Sequence, residues 1–430
     1  MQTRVQIRAK TRLLAALVIV LLVLAVFDDY QGWRFLLLGL AGTWWLSHRW
    51  AQSLAEKLRL RREMRFGWAQ VGDQLEERFS LENGSAFPAL WAELEDHSNL
   101  PGYSADVATG VGGAAIFQWR TQRPCTRRGL FTLGPTTLHT ADPLGLYQVE
   151  IHDPHSMTLM VTPPIVPLPQ IEVAPGGRAG EGRPRPNAPE RTVSAAGVRE
   201  YAPGDSLRWV HWRTSARRDE LHVRLFDSTP SGDWWILLDM QADVQAGLGA
   251  RSTEEHGVIL AASLADRGLR LGKAVGMVAY GQPLAWLPPR EGDGQRWEIL
   301  RSLALVQPAR HSLGEMLARL RPTLGGYTSL VIITPNARGD WLEGLLPLLW
   351  QGAVPTVLLL DPLAFGGEGN PEGVIQELSR WGVQHHRITP DLLDRPEAQP
   401  GHKGQWEWRI SPTGRAIAIN PPREGWKALS

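Results

Sequence analysis

Two apolar runs stand near the start of the chain. LLAALVIVLLVLAVF (13–27) carries no charge, and RFLLLGLAGTWWL (34–46) follows after the polar DDYQGW. Each is shorter than the ~20 residues that span a bilayer core. Together, around a tight turn, they predict a transmembrane helical hairpin over residues 1–47. Tyr30, Trp33, Trp44, Trp45 and Trp50 lie near the ends, where an aromatic belt belongs. No small-x-small cleavage site follows Phe27, which argues against a signal peptide. A basic juxtamembrane helix is expected over residues 48–66.

The pattern then changes period. Over residues 67–173, QLEERFSLENGS, ALWAELEDH, AAIFQWRTQ and TTLHTADP alternate apolar with polar positions between Gly, Pro, Asn and Asp. Short strands with turn signals between them predict a β-sandwich domain. Within it, DPLGLY reads as a turn, in which Pro143 fixes φ and Gly145 is free to take φ > 0. Residues 174–230 hold a linker, APGGRAGEGRPRPNAPER (174–191), too rich in Gly, Pro and Arg to bury a core, and then the segment Tyr201–Arg224. From 231 to 390, unbroken apolar runs (DWWILLD, KAVGMVAYG, SLVIITPN, VPTVLLLDP) alternate with helical patterns. Strands buried on both faces and joined by helices predict an α/β doubly wound sheet. Residues 391–430 are a tail with a closing β-hairpin.

Charge orients the hairpin. Arg4, Arg8, Lys10 and Arg12 precede it, and Arg49, Lys57, Arg59, Arg61, Arg62 and Arg65 follow. The connecting loop holds Asp28 and Asp29, with Arg34 its one basic residue. The positive-inside rule then predicts a two-pass protein of the cell (inner or plasma) membrane with most of the chain in the cytoplasm. The single cysteine, Cys125, excludes an intrachain disulfide and a CxxC zinc site. A net charge of +1 gives no general case for nucleic acid.

Catalytic motifs are missing or degenerate. There is no G-x-S-x-G elbow and no H-E-x-x-H helix. GLRLGK at Gly268–Lys273 is one residue short of a P-loop, lacks the following Ser/Thr, and closes a helix rather than opening one. GGEGNPEG holds no dinucleotide fingerprint. The pairs His152/His155 and His385/His386 are not spaced to aim two imidazoles at one metal.

The richest chemistry lies in YAPGDSLRWVHWRTSARRDELHVR, Tyr201–Arg224, expected to run extended–turn–strand. Arginines mixed with tryptophans suit single-stranded nucleic acid, but here they alternate with Asp205, Asp219 and Glu220, so no nucleic acid is expected. This stretch, with the upstream RRGLFTLGP and DPLGLY and the strand WWILLD, resembles the bacterial "domain of unknown function 58" family over nearly the whole chain. Arg199, Tyr201, Gly204, Asp205, Arg208, Trp212, Ala216 and Arg217 carry the resemblance as the signature. They are expected to serve as an interdomain contact or a partner surface.

The resemblance implies a membrane-anchored protein with a von Willebrand factor A-like last domain. It implies two partners, a MoxR-type AAA+ ATPase and a transglutaminase-like membrane protein, and it supplies no reaction, since no enzymatic activity is established for the family. Such domains hold Mg²⁺ through D-x-S-x-S, whereas this chain reads Asp239-Met240-Gln241-Ala242-Asp243. Asp239 and Asp243 are weak metal candidates, and no cofactor is expected. The functional expectation is a non-enzymatic, cytoplasm-facing scaffold. Its alternatives are chemistry hidden at the C-terminal edge of the α/β sheet, or a role in cell-envelope biogenesis.

Overall fold

In the computed structural model the described residues are 3–28, 30–64, 67–176, 195–201, 210, 212–218, 220–226, 233–324, 328–394, 408–410, 416–418 and 427–428. The chain divides into two compact units, residues 1–164 with 402–430, and residues 165–401.

The first unit begins with strand β1 (Arg4–Ala9), then helices α1 (Leu13–Phe27) and α2 (Gln31–Lys57). The expected membrane-crossing hairpin is corrected here: among the described residues no helix is long and apolar enough to cross a membrane. The 15 residues of α1 rise only ~22 Å, short of the ~30 Å hydrocarbon core. Helix α2 has 27 residues, but its second half, SHRWAQSLAEK, is polar and buries Ser47, Ala51, Leu54 and Ala55. The basic flanks are also otherwise employed. Arg4–Ala9 pairs antiparallel with strand β10 (Tyr147–Asp153), and the helix expected over 48–66 gives way after Lys57 to strand β2 (Leu58–Met64).

LRLRREM becomes a strand because its alternation faces Leu58, Arg62 and Met64 inward. Strand β2 pairs with β4 (Gln74–Asn83), which pairs with β7 (Ala115–Pro124). A second sheet runs β1–β10–β9–β5–β6, with β5 Ala89–Asp96, β6 Val107–Val111 and β9 Thr136–Ala141. Leu75, Phe79 and Leu81 from one sheet and Leu94, Leu138 and Val149 from the other fill one core. Two turns follow directly from sequence. In DPLGLY the Asp142 carboxylate accepts from the N–H of Leu144 (3.0 Å) and of Tyr147 (2.6 Å), and Gly145 takes φ +65°. At Gly134, φ is +82° and a Cβ would lie 2.7 Å from the His155 carbonyl, so only glycine fits.

A buried charge cluster crosses this core. Arg62 donates to both oxygens of Glu77 (2.8 and 2.9 Å) and to Asp96 (2.8 Å). Tyr103 also donates to Glu77, and the Arg62 guanidinium lies over the Phe79 ring. Burial opposes the charge on Arg62, but the hydrogen bond and attraction of Glu77, with those of Asp96, raise its pKa above the ordinary value. Burial pushes Glu77 upward, and Arg62 offsets that only in part. Arg62, counted in sequence as a membrane-facing cation, is instead the centre of this network.

In the second unit, strands β14 (Trp234–Leu238), β15 (Val275–Ala279), β17 (Ser329–Thr334), β18 (Val354–Leu360) and β19 (Gln384–Ile388) are parallel, and β16 (Ala285–Arg290) is an antiparallel edge. Their order is β16–β15–β14–β17–β18–β19. Period-2 side chains send β14 into two cores. Trp234, Ile236 and Leu238 meet helices α4 (Thr253–Arg270) and α5 (Asp293–Leu305), while Trp235 and Leu237 meet α6 (Leu313–Leu320), α7 (Leu342–Trp350) and α8 (Glu372–Arg380). Val166, Leu168 and Ile171, placed by sequence at the end of the sandwich region, pack in the first of these cores.

Candidate functional site

Strand order locates the first candidate. From β14 the chain moves outward to β15 and β16, then crosses back to β17 on the other side of β14. At such a reversal the loops after the two central strands diverge and leave a crevice at their carboxyl ends. Here those loops are Asp239–Asp243 and Asn336–Asp340.

Asp239 is buried at the base. Its Oδ1 accepts from the Gln241 N–H (3.0 Å) and its Oδ2 from the Thr334 hydroxyl (2.6 Å). Burial raises its pKa to about 6; the two hydrogen bonds oppose the rise, and the nearby charges of Asp340 and Asp243 add to it. The Thr334 oxygen in turn accepts from the Asn336 N–H (2.9 Å). Asn336 also donates to Asp340 (2.8 Å), and its carbonyl accepts from the Trp341 indole (3.1 Å). Trp341 is fully buried, so the β17 loop is pinned from beneath.

Across the crevice Asp243 is held by Arg338. Nη1 donates to its carboxylate (2.9 Å) and Nη2 to its main-chain oxygen (3.1 Å), with both side chains more than half exposed. A side-chain hydrogen bond from Gln241, then one from Arg338, hold the Asp243 pKa below the usual carboxylate value. Gln241 Oε1 is buried and has no hydrogen-bond partner among the described residues.

This arrangement does not fit Mg²⁺, which needs several oxygen ligands in near-octahedral geometry. Both Asp239 oxygens are engaged, Thr334 is spent on Asp239 and Asn336, and a guanidinium lies against Asp243. Among the described residues no group of three or more His, Cys, Asp or Glu could hold a metal ion. The expected candidates Asp239 and Asp243 thus sit on the same loop but make different bonds. Sequence reading missed Arg338, which lies 95 positions from Asp243. The only signal was that TPNARGD follows a buried strand.

The signature segment forms the second candidate. Gly204, Asp205 and Arg208 lie outside the described residues. Arg199 falls in strand β12 (Ala195–Glu200), paired antiparallel with β13 (His222–Phe226). The turn expected after Trp212 is instead a short helix, α3 (Trp212–Arg218). Ser215 is its buried contact: its Oγ accepts from the His222 N–H at 2.9 Å. Trp212, Arg213, Ala216, Arg217 and Arg218 are exposed, Trp212 to 66%. Tyr201 is half-buried and its N–H donates to the Leu221 carbonyl (2.7 Å).

Residues 197–360, which include most of α3's surroundings and the crevice, match the family model described as "Protein of unknown function DUF58". Uncharacterised protein Rv1480 of Mycobacterium tuberculosis is 25% identical over 205 residues, covering 46% of this chain and 64% of that one; Mb1516 of Mycobacterium bovis gives the same figures. The chain therefore spans just under two thirds of the length of these mycobacterial relatives. Uncharacterised protein YeaD of Bacillus subtilis is 26% identical over 308 residues, 67% of this chain and 72% of that one. Among solved structures, a CARDB domain from Pyrococcus furiosus overlaps 25% of this chain and 90% of its own at 9% identity and a TM-score of 0.18, too low to assign a fold.

Proposed function

From the premise that residues 197–360 belong to the DUF58 family, we propose that the protein is a non-enzymatic adaptor whose α/β unit docks a protein partner. The observation that carries this is the outward face of α3. A tryptophan two-thirds exposed, beside Arg213 and Arg217 on a helix anchored by buried Ser215, has the composition of a binding hot spot. An exposed Trp gains little from folding but much from being covered by a partner.

The partner is a MoxR-type AAA+ ATPase, as the family resemblance implies, with a transglutaminase-like membrane protein as a second associate in the cell envelope. The chain works in the cytoplasm beside a lipid membrane. The exposed apolar surface of α1 and the first half of α2 (Leu13, Phe27, Phe35 and Trp45 among others) supports a seat on a lipid surface, without a crossing.

The test is capture of the ATPase by the full chain and by Trp212→Ala and Arg217→Ala. Both side chains are exposed, so melting curves should be unchanged while capture falls at least tenfold. Capture unaffected by either substitution would sink the reading. Flotation with vesicles of anionic and of zwitterionic lipid tests the seat, and equal recovery with the protein left unbound in both rules it out.

A further inference from the structure

Helix α3 is WRTSARR, with three arginines and no acid. Arg213, Arg217 and Arg218 are all exposed, and among the described residues no ion pair reaches any of them. Residues four apart on a helix are neighbours, so Arg213 stands beside Arg217 and Trp212 beside Ala216. Like charges at that spacing repel, which opposes the helix rather than supporting it. Trp212, 66% exposed, is left largely uncovered by folding. The stability of the chain thus explains neither the arginines nor the indole. Ala216 is exposed and small, and it keeps the surface between them low. The helix itself is tied down, since buried Ser215 accepts from the His222 N–H at 2.9 Å.

We propose that this face of α3 recognises an acidic segment of the protein partner, in which carboxylates flank an apolar side chain. This inference rests on the reading that α3 docks a protein, and it adds the chemistry of what is docked. A guanidinium meets a carboxylate through two parallel N–H···O bonds. Carboxylates brought to Arg213 and Arg217 pair with each and also remove the repulsion between them. The apolar side chain covers the indole, which has an apolar face to bury. Phosphates pair with arginine as well, but single-stranded nucleic acid stacks successive bases on several aromatic rings. Trp212 is the one aromatic residue of α3.

The probe is a fluorescein-labelled peptide of glutamate and leucine residues, titrated into the full chain and followed by anisotropy. A lysine–leucine peptide and single-stranded oligothymidine are titrated separately. The acidic peptide should bind, the basic one should not, and added NaCl should weaken the acidic complex. R217E and R213E should each weaken it at least tenfold, and R217K, which keeps the charge but loses the fork, should weaken it less. All three alter exposed side chains and should melt like the parent chain. The double variant R213E/R217E should bind the lysine–leucine peptide instead. Equal binding of the acidic peptide to the parent and to a folded R217E or R213E overturns the inference, as does oligothymidine that binds more tightly and displaces the peptide. No ATPase is present in this titration. A silent titration therefore defeats acidic recognition while leaving capture through Trp212 standing, and failed capture beside a positive titration overturns the choice of ATPase alone.

Discussion

Replacing Asp239 by Asn removes one buried charge and almost nothing else. The carboxyl keeps its shape, and an amide oxygen can still accept from the Gln241 N–H. The Thr334 hydroxyl, which now donates to Oδ2, can rotate to accept from the new NH₂. The folded-state pKa is about 6 against an ordinary 3.8, with burial the leading cause. For an acid whose pKa is raised on folding, the folded chain binds the extra proton. Stability is then fully present below pH ~4 and is lost as pH rises through ~6. The pKa difference corresponds to ~3 kcal/mol, all of it lost by pH 7. Asp239→Asn should therefore stabilise the α/β unit at pH 7, by up to ~3 kcal/mol less ~1 kcal/mol for the weaker uncharged hydrogen bonds. The assay is urea unfolding of the full chain at pH 5, 6, 7 and 8, followed by tryptophan fluorescence. The parent midpoint should fall between pH 5 and 7, and the variant should show a flatter dependence and a higher midpoint at pH 7. A variant less stable than the parent at pH 7, with the same pH dependence as the parent, would refute the assignment of a strained carboxylate at the crevice base. A destabilised charge at the bottom of a cleft is what a binding site tends to carry.

Two further predictions concern the frame around the sites. Arg62→Ala leaves Glu77 and Asp96 buried without their cation and should cost the first unit ~3–5 kcal/mol, measured as a lower urea midpoint at pH 7. The loss should shrink toward pH 4 as Glu77, whose pKa burial raises, takes up a proton. Gly268→Ala raises helix propensity by ~1 kcal/mol, yet its Cβ would sit 2.8 Å from the Trp234 ring and 2.9 Å from Val275. Overpacking of ~1–3 kcal/mol should win, and the α/β unit should melt at a lower temperature than the parent.

Particular residues show where sequence reading succeeds. WWILL could be assigned as a strand because its neighbours in sequence are apolar without interruption, and Trp234–Leu238 is buried on both faces. DPLGLY was readable because Asp142 and Gly145 act within six residues of one another. The apolar hairpin shows where it fails. Composition gave Leu13–Phe27 and Arg34–Leu46 enough hydrophobicity, but not enough length in any one helix, and the flank that was to face anionic lipid includes Arg62, which turns inward to Glu77.

The elements of the α/β unit, the turns of the sandwich and the residue types of the signature were thus set by the chain alone, since periodicity and local hydrogen bonding act over a few residues. Tertiary structure decided which side chains meet. The strand order brought Asp243 to Arg338 across 95 positions and left Gln241 Oε1 without a donor among the described residues. The fold joined Ser215 to His222 and left Trp212 exposed. Contacts between residues distant in sequence depend on the path of the sheet, and no local pattern encodes that path.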